Sequence, residues 1–104
     1  MDVQEVWALL EQHQGEQFYT AKCLPFCYII RGGELFVDRR SKSITISTVA
    51  AALQKIAARQ AAGEAITGPK KISCYGASYL YPMFLNLGII PQPETGKEIL
   101  GNTA

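Results

Sequence analysis

The chain has 104 residues, 48% of them hydrophobic and 18% charged, which is enough to bury one core and too few for two. A formal net charge of +1 provides no global field toward nucleic acid or anionic lipid, so any such affinity has to come from a local patch. No apolar run approaches the roughly 20 residues that cross a bilayer, and Asp2 and Glu5 stand where a signal peptide carries positive charge; the expectation is a cytoplasmic protein with no membrane partner.

Asp2 followed by Glu5 has the spacing of a capping box, and Val3, Val6, Trp7 and Leu10 recur at helical intervals, which predicts an opening amphipathic helix ended by Gly15. Phe18-Tyr19-Thr20 follows. The strongest local signal is next: Phe26-Cys-Tyr-Ile-Ile-Arg31, then Gly32-Gly33, then Glu34-Leu-Phe-Val-Asp38. Two glycines supply the positive φ angles of a primed turn between two strands. A two-residue turn pairs Ile30 with Leu35 and Tyr28 with Val37. It puts Phe26, Tyr28, Ile30, Leu35 and Val37 on a core face, and Cys27, Ile29, Arg31, Glu34, Phe36 and Asp38 on a mixed face. Arg31 then stands opposite Glu34 as a cross-strand ion pair.

Beyond the polar link Arg39-Arg40-Ser41-Lys42, Thr45 is the predicted cap of a second helix, with Ile44 and Val49 as a hydrophobic staple and Thr48 at the capping-box partner position. Val49, Ala52, Leu53 and Ile56 form its buried stripe, and alanines at 50, 51, 52, 57, 58, 61 and 62 leave a smooth surface before Gly63 closes it. After Gly68-Pro69, the alternation of Ile72 and Cys74 predicts a short third strand over residues 71–75. Ser78 is the expected cap of a last helix, Tyr79 to Leu87, ended by Gly88 with Ile89 folded back over the final turn. Counted from Ser78, Pro82 is the fourth helical residue and forfeits one backbone hydrogen bond. Residues 91–104 are polar, with prolines and glycines, and read as a mobile tail. The reading is one α+β domain over residues 1–90: an N-terminal helix and an antiparallel β-hairpin, open to a third strand, covered by two further helices. About 15 residues separate the second and third helices, far more than the roughly 3–4-residue turn of a helix-turn-helix.

Three cysteines, Cys23, Cys27 and Cys74, are an odd count at irregular spacing, which argues for reduced thiols. With His13 they are the residue types of a Cys3His zinc site, but Cys23-x3-Cys27 is not the usual close knuckle and His13 sits on a polar helix end, so no metal or other cofactor is assigned. A Cys-His nucleophile has no support either, because nothing in the sequence places the two together. Gly76 and Ser78 precede helix amides that could receive an anion, although one glycine and one serine do not make a nucleotide loop. Tyr75, Tyr79 and Tyr81 could stack on bases or pack in the core. The basic residues Arg39, Arg40 and Lys42, beside a hydroxyl-rich helix start, and Lys70 and Lys71 are the candidates for nucleic-acid phosphate contact.

The pattern Phe18-x-Thr20-x-x-Leu24-Pro25-Phe26-x-Tyr28, the Gly32-Gly33 turn, Ser43-Ile44-Thr45-x-x-Thr48-Val49-x-x-Ala52 and Gly76-x-Ser78-Tyr79 resembles a small uncharacterised bacterial domain over most of residues 16 to 90. Leu24 stands where that pattern often has glycine. The segments are similar to ones in mobile elements and DNA-processing proteins, and the resemblance implies a fold without an established activity. Three function classes follow: a nucleic-acid-associated accessory protein, a protein-interaction or homodimerisation module using the alanine-rich face or a hairpin edge, and, least supported, an enzyme, for which no convergent acid-base set is legible.

Overall fold

The computed structural model describes residues 2–91; the tail expected over 91–104 lies, apart from Pro91, outside them. Its first helix, α1, spans Val3–Gln12 and is started by the capping box: the Asp2 carboxylate accepts from the Glu5 amide at 2.9 Å and the Glu5 carboxylate accepts from the Asp2 amide at 3.0 Å. Val6, Trp7 and Leu10 form its buried stripe. Five short strands follow: β1 Phe18–Tyr19, β2 Pro25–Phe26, β3 Tyr28–Arg31, β4 Glu34–Val37 and β5 Ile44–Thr45. Helix α2, Ile46–Ala61, a 3₁₀ turn, Pro69–Lys71, and helix α3, Ala77–Asn86, complete the mixed α+β architecture. Among the described residues no helix is long and apolar enough to cross a membrane.

The hairpin forms in the expected register, with Tyr28 against Val37, Ile29 against Phe36, Ile30 against Leu35 and Arg31 against Glu34. Tyr28, Leu35 and Val37 are buried, and Ile29 on the opposite face is 43% exposed. Only Gly32 takes positive φ, at +61°, so the turn follows the II′ pattern rather than using both glycines. Arg31 and Glu34 face each other without an ion pair, because the Glu34 carboxylate accepts from the Ser43 hydroxyl at 2.6 Å. Phe26 belongs to a separate two-stranded sheet, where it pairs with Phe18; Cys27 breaks the run. The β1–β2 loop carries Cys23 at φ +64°, and its Thr20 carbonyl accepts from the Cys23 amide at 2.8 Å, the three-residue hairpin geometry that ends on a left-handed residue.

A third strand exists, but Ile44–Thr45 supplies it, giving the sheet order β3-β4-β5. Residues 71–75 do not form a strand. Pro69 presets the first helical φ of a 3₁₀ turn, Ile72 continues in the right-handed region, and Ser73 turns back at φ +54°. Ile72 is therefore buried by a turn rather than by strand alternation. Thr45 ends β5 by capping α2, accepting from the Thr48 amide at 3.3 Å, with Ile44 and Val49 buried as its staple.

Helix α3 starts two residues earlier than the serine cap implied. Its N-cap is Gly76 at φ +77°, and Ser78 is the second helical residue. A Cβ at position 76 would lie 2.8 Å from Ile44 Cγ1 and closer still to Cδ1, so this position requires glycine for space as well as for φ. Pro82 becomes the sixth helical residue and removes the bond that the Ser78 carbonyl would accept, while Asn86 Nδ2 donates to the Pro82 carbonyl at 2.7 Å. The far end closes as expected: the Ile89 amide donates to the Phe84 carbonyl at 2.8 Å and the Gly88 amide to the Leu85 carbonyl at 3.2 Å.

Strand β3 is the outer strand of its sheet, and the chain leaving α1 covers it. The Gly15 amide donates to the Tyr28 carbonyl and the Ile30 amide donates to Gln14 Oε1, both at 2.9 Å. The edge is thus closed to strand addition at these two groups. The Tyr28 hydroxyl donates to the Leu10 carbonyl at 2.6 Å inside the core, fastening the end of α1 to the hairpin. Burial, and then the nearby Glu16, push its ionisation far above the usual tyrosine range, so it stays a donor. Tyr28→Phe is expected to destabilise the fold by about 1–2 kcal/mol, read as a lower urea midpoint at unchanged slope. An unchanged midpoint would show that this bond does not hold α1 in place.

Candidate nucleic-acid interface

The site is built where the connection between β4 and β5 meets the start of α3. Left-handed residues at Ser73 and Gly76 bracket Cys74 and Tyr75, and Lys55 of α2 fixes this loop by donating from Nζ to the Ser73 carbonyl. The Tyr75 hydroxyl donates to the Lys42 carbonyl at 3.0 Å. Lys42 Nζ sits 4.6 Å from the centre of the Tyr75 ring. The Arg40 guanidinium reaches both rings, 5.9 Å from Tyr75 and 5.7 Å from Tyr79. Tyr79 stands edge-on to the buried Phe26, with centroids 5.1 Å apart, so one side of this cluster is rooted in the core.

The five candidate cations have different surroundings. Arg40 and Lys42 converge on Tyr75. Lys70 is exposed beside Ser73, Cys74 and Ala77, on the rim of an open depression at the start of α3. Lys71 is turned toward Glu64, 3.9 Å away, whose carboxylate also holds Arg59 at 2.7 Å. Arg39 is exposed and makes no side-chain ion pair or ring contact with the described residues. Of the anion candidates, Gly76 brings no side chain to the helix amides, and the Ser78 amide finds no acceptor among the described residues.

The acids among the described residues are engaged with other partners or lie on α1. Asp2, Glu5, Glu11 and Glu16 lie on α1 and its exit, Glu34 is held by Ser43, and Asp38 accepts from the Cys27 amide at 3.2 Å. Among the described residues no carboxylate lies within ion-pair distance of Arg40, Lys42 or Lys70. Two further lysines belong to this neighbourhood without having stood out in the sequence. Lys55 reads as one exposed residue of α2. Lys22 sits at the tip of the β1–β2 loop, which folds against Pro69, Ser78 and Tyr79 only in three dimensions. No local pattern marks either.

Other surfaces are plainer. Ala50, Leu53 and Ala57 of α2, with Asp2 and Val3, line a hollow of about 290 Å³, and Ala51, Ala58, Ala61 and Ala62 are exposed. Among the described residues no three His, Cys, Asp or Glu side chains lie close enough together to hold a metal ion. Comparison with protein-family models, with curated proteins and with solved structures finds no match.

The thiols differ in chemistry. Cys23 is exposed and Cys27 and Cys74 are partly buried. Desolvation, and then the charge of Asp38 and a hydrogen bond to it at 3.6 Å, push the Cys27 pKa up. Burial raises that of Cys74, with Lys55 pulling the other way. Since the thiolate is the nucleophile, maleimide at neutral pH is expected to label Cys23 fastest, as read by mass spectrometry of digested samples. Equal labelling of Cys27 or Cys74 would contradict this placement.

Proposed function

We propose that this chain is a small, non-catalytic nucleic-acid-associated accessory protein that contacts phosphates at the start of α3, principally through Arg40 and Lys42, with Lys70 extending the patch. The observation that carries the reading is the convergence of these two cations on Tyr75 with no carboxylate among the described residues in ion-pair distance of either. A cation held over an aromatic ring keeps its charge and its outward N–H groups, which suits a phosphate oxygen better than a solvated lysine on a mobile stem. The near-neutral whole chain makes the affinity local and modest rather than field-driven. Arg39 adds charge to the same connection, and Lys71 contributes less because Glu64 partly answers it.

Self-association through the exposed alanines of α2 is the second reading, supported by the smooth surface they leave and by the hollow beside Leu53. Salt separates the two. Binding to fluorescent single-stranded and duplex DNA is expected to weaken steeply between low and moderate salt. Arg40→Glu with Lys42→Glu should reduce affinity at least about tenfold and lower the logarithmic salt slope by about two, while Arg31→Glu in β3 should not. No binding at low salt, or equal loss in the Arg31 control, would overturn the phosphate reading. Association that persists at high salt would favour the α2 face.

A further inference from the structure

Next to the cation cluster, the β1–β2 loop and the start of α3 enclose a hollow of about 310 Å³, lined by Thr20, Lys22, Leu24, Pro69, Ser78 and Tyr79. That volume is at the lower end of the roughly 300–1,000 Å³ of small-ligand sites. Its walls divide by chemistry. Leu24, Pro69 and the Tyr79 ring are flat or apolar, and Leu24 remains 45% exposed although it is a large aliphatic side chain. Thr20, Ser78 and Lys22 supply polar groups. The Thr20 oxygen already accepts from the Leu24 amide at 3.1 Å, so its hydroxyl hydrogen is left to donate. Lys22 is a donor, and among the described residues no carboxylate lines the hollow, which disfavours a cationic occupant. Tyr79 belongs to both features: its ring carries Arg40 and also walls the hollow.

We infer that this hollow takes one unpaired nucleobase of a single strand whose phosphates lie along Arg40 and Lys42. The inference rests on the phosphate reading above and adds a substrate class to it. An apolar wall with a tyrosine ring accepts the face of any base, which makes the site tolerant of sequence. The Thr20 and Ser78 hydroxyls and the Lys22 ammonium meet the polar edge. A duplex offers its phosphates to the cations but keeps its bases stacked, so the hollow selects single strands. One base contact of this kind is worth about a tenfold change in affinity.

The test compares the intact protein's binding to oligo-dT and to an abasic oligonucleotide of equal length and charge, at one low salt concentration. Oligo-dT should bind about tenfold tighter. Leu24→Asn, which takes away the apolar wall at an exposed position, should remove that difference while leaving abasic binding unchanged; Ser78→Gln, which narrows the hollow from a different element, should do the same, and circular dichroism checks that both variants fold. Equal binding of the two oligonucleotides by the unaltered chain, or a difference that survives both variants, overturns the base site and leaves the phosphate reading standing. Failure to bind either oligonucleotide overturns both.

Discussion

The arrangement depends on the close approach of the α3 start to Ile44. That side chain is buried, pairs through its backbone with Leu35 as the third strand, and precedes Thr45 as the staple residue of α2. The backbone of Gly76 lies against its Cγ1 and Cδ1 atoms, where no Cβ fits without displacing them. One isoleucine therefore joins sheet, second helix and third helix. Apart from the polar tips of its tyrosines and tryptophan, the core among the described residues buries only apolar side chains, so the surroundings of Ile44 are specified by shape and by backbone turns.

The same approach explains why the candidate site is where it is. To bring Gly76 onto Ile44 the chain turns through left-handed conformations at Ser73 and Gly76, and the loop between them presents Tyr75 outward over the β4–β5 connection. Arg40 and Lys42 leave β4 just before β5 begins, so the contact that seats α3 also sets the distance between cations and rings. At the other end of the sheet, Gln14 and Gly15 occupy the β3 edge and the Tyr28 hydroxyl secures α1. Association by strand addition there would have to displace that covering, which turns attention to the α2 surface for any self-contact.

What was legible in the sequence was local. The Asp2–Glu5 box, the Thr45 cap with its staple, the hairpin register and the Gly88 reversal each depend on residues a few positions apart. The start of α3 was misread because a serine is the better cap by side chain, whereas contact with Ile44, distant in sequence, selects the glycine two residues before it. Residues 71–75 were misread because two alternating apolar positions suit a strand or a turn equally, and the proline before them decides for the turn. Every member of the cation-aromatic cluster was a named candidate, but the pairing of Lys42 with Tyr75, across 33 positions, had no local signal. Lys22 stayed unmarked for the same reason.

The most direct test of this account is a double-mutant cycle between Gly76→Ala and Ile44→Val, with unfolding free energies from urea denaturation. Ile44→Val removes the Cδ1 methyl group that an added Cβ would strike first. Gly76→Ala alone is expected to cost more than the roughly 1–2 kcal/mol of left-handed strain, and less when Ile44 is valine, with a coupling of at least about 0.5 kcal/mol. Strictly additive costs would mean that the helix start and the isoleucine are independent, and would contradict the claim that their contact seats α3.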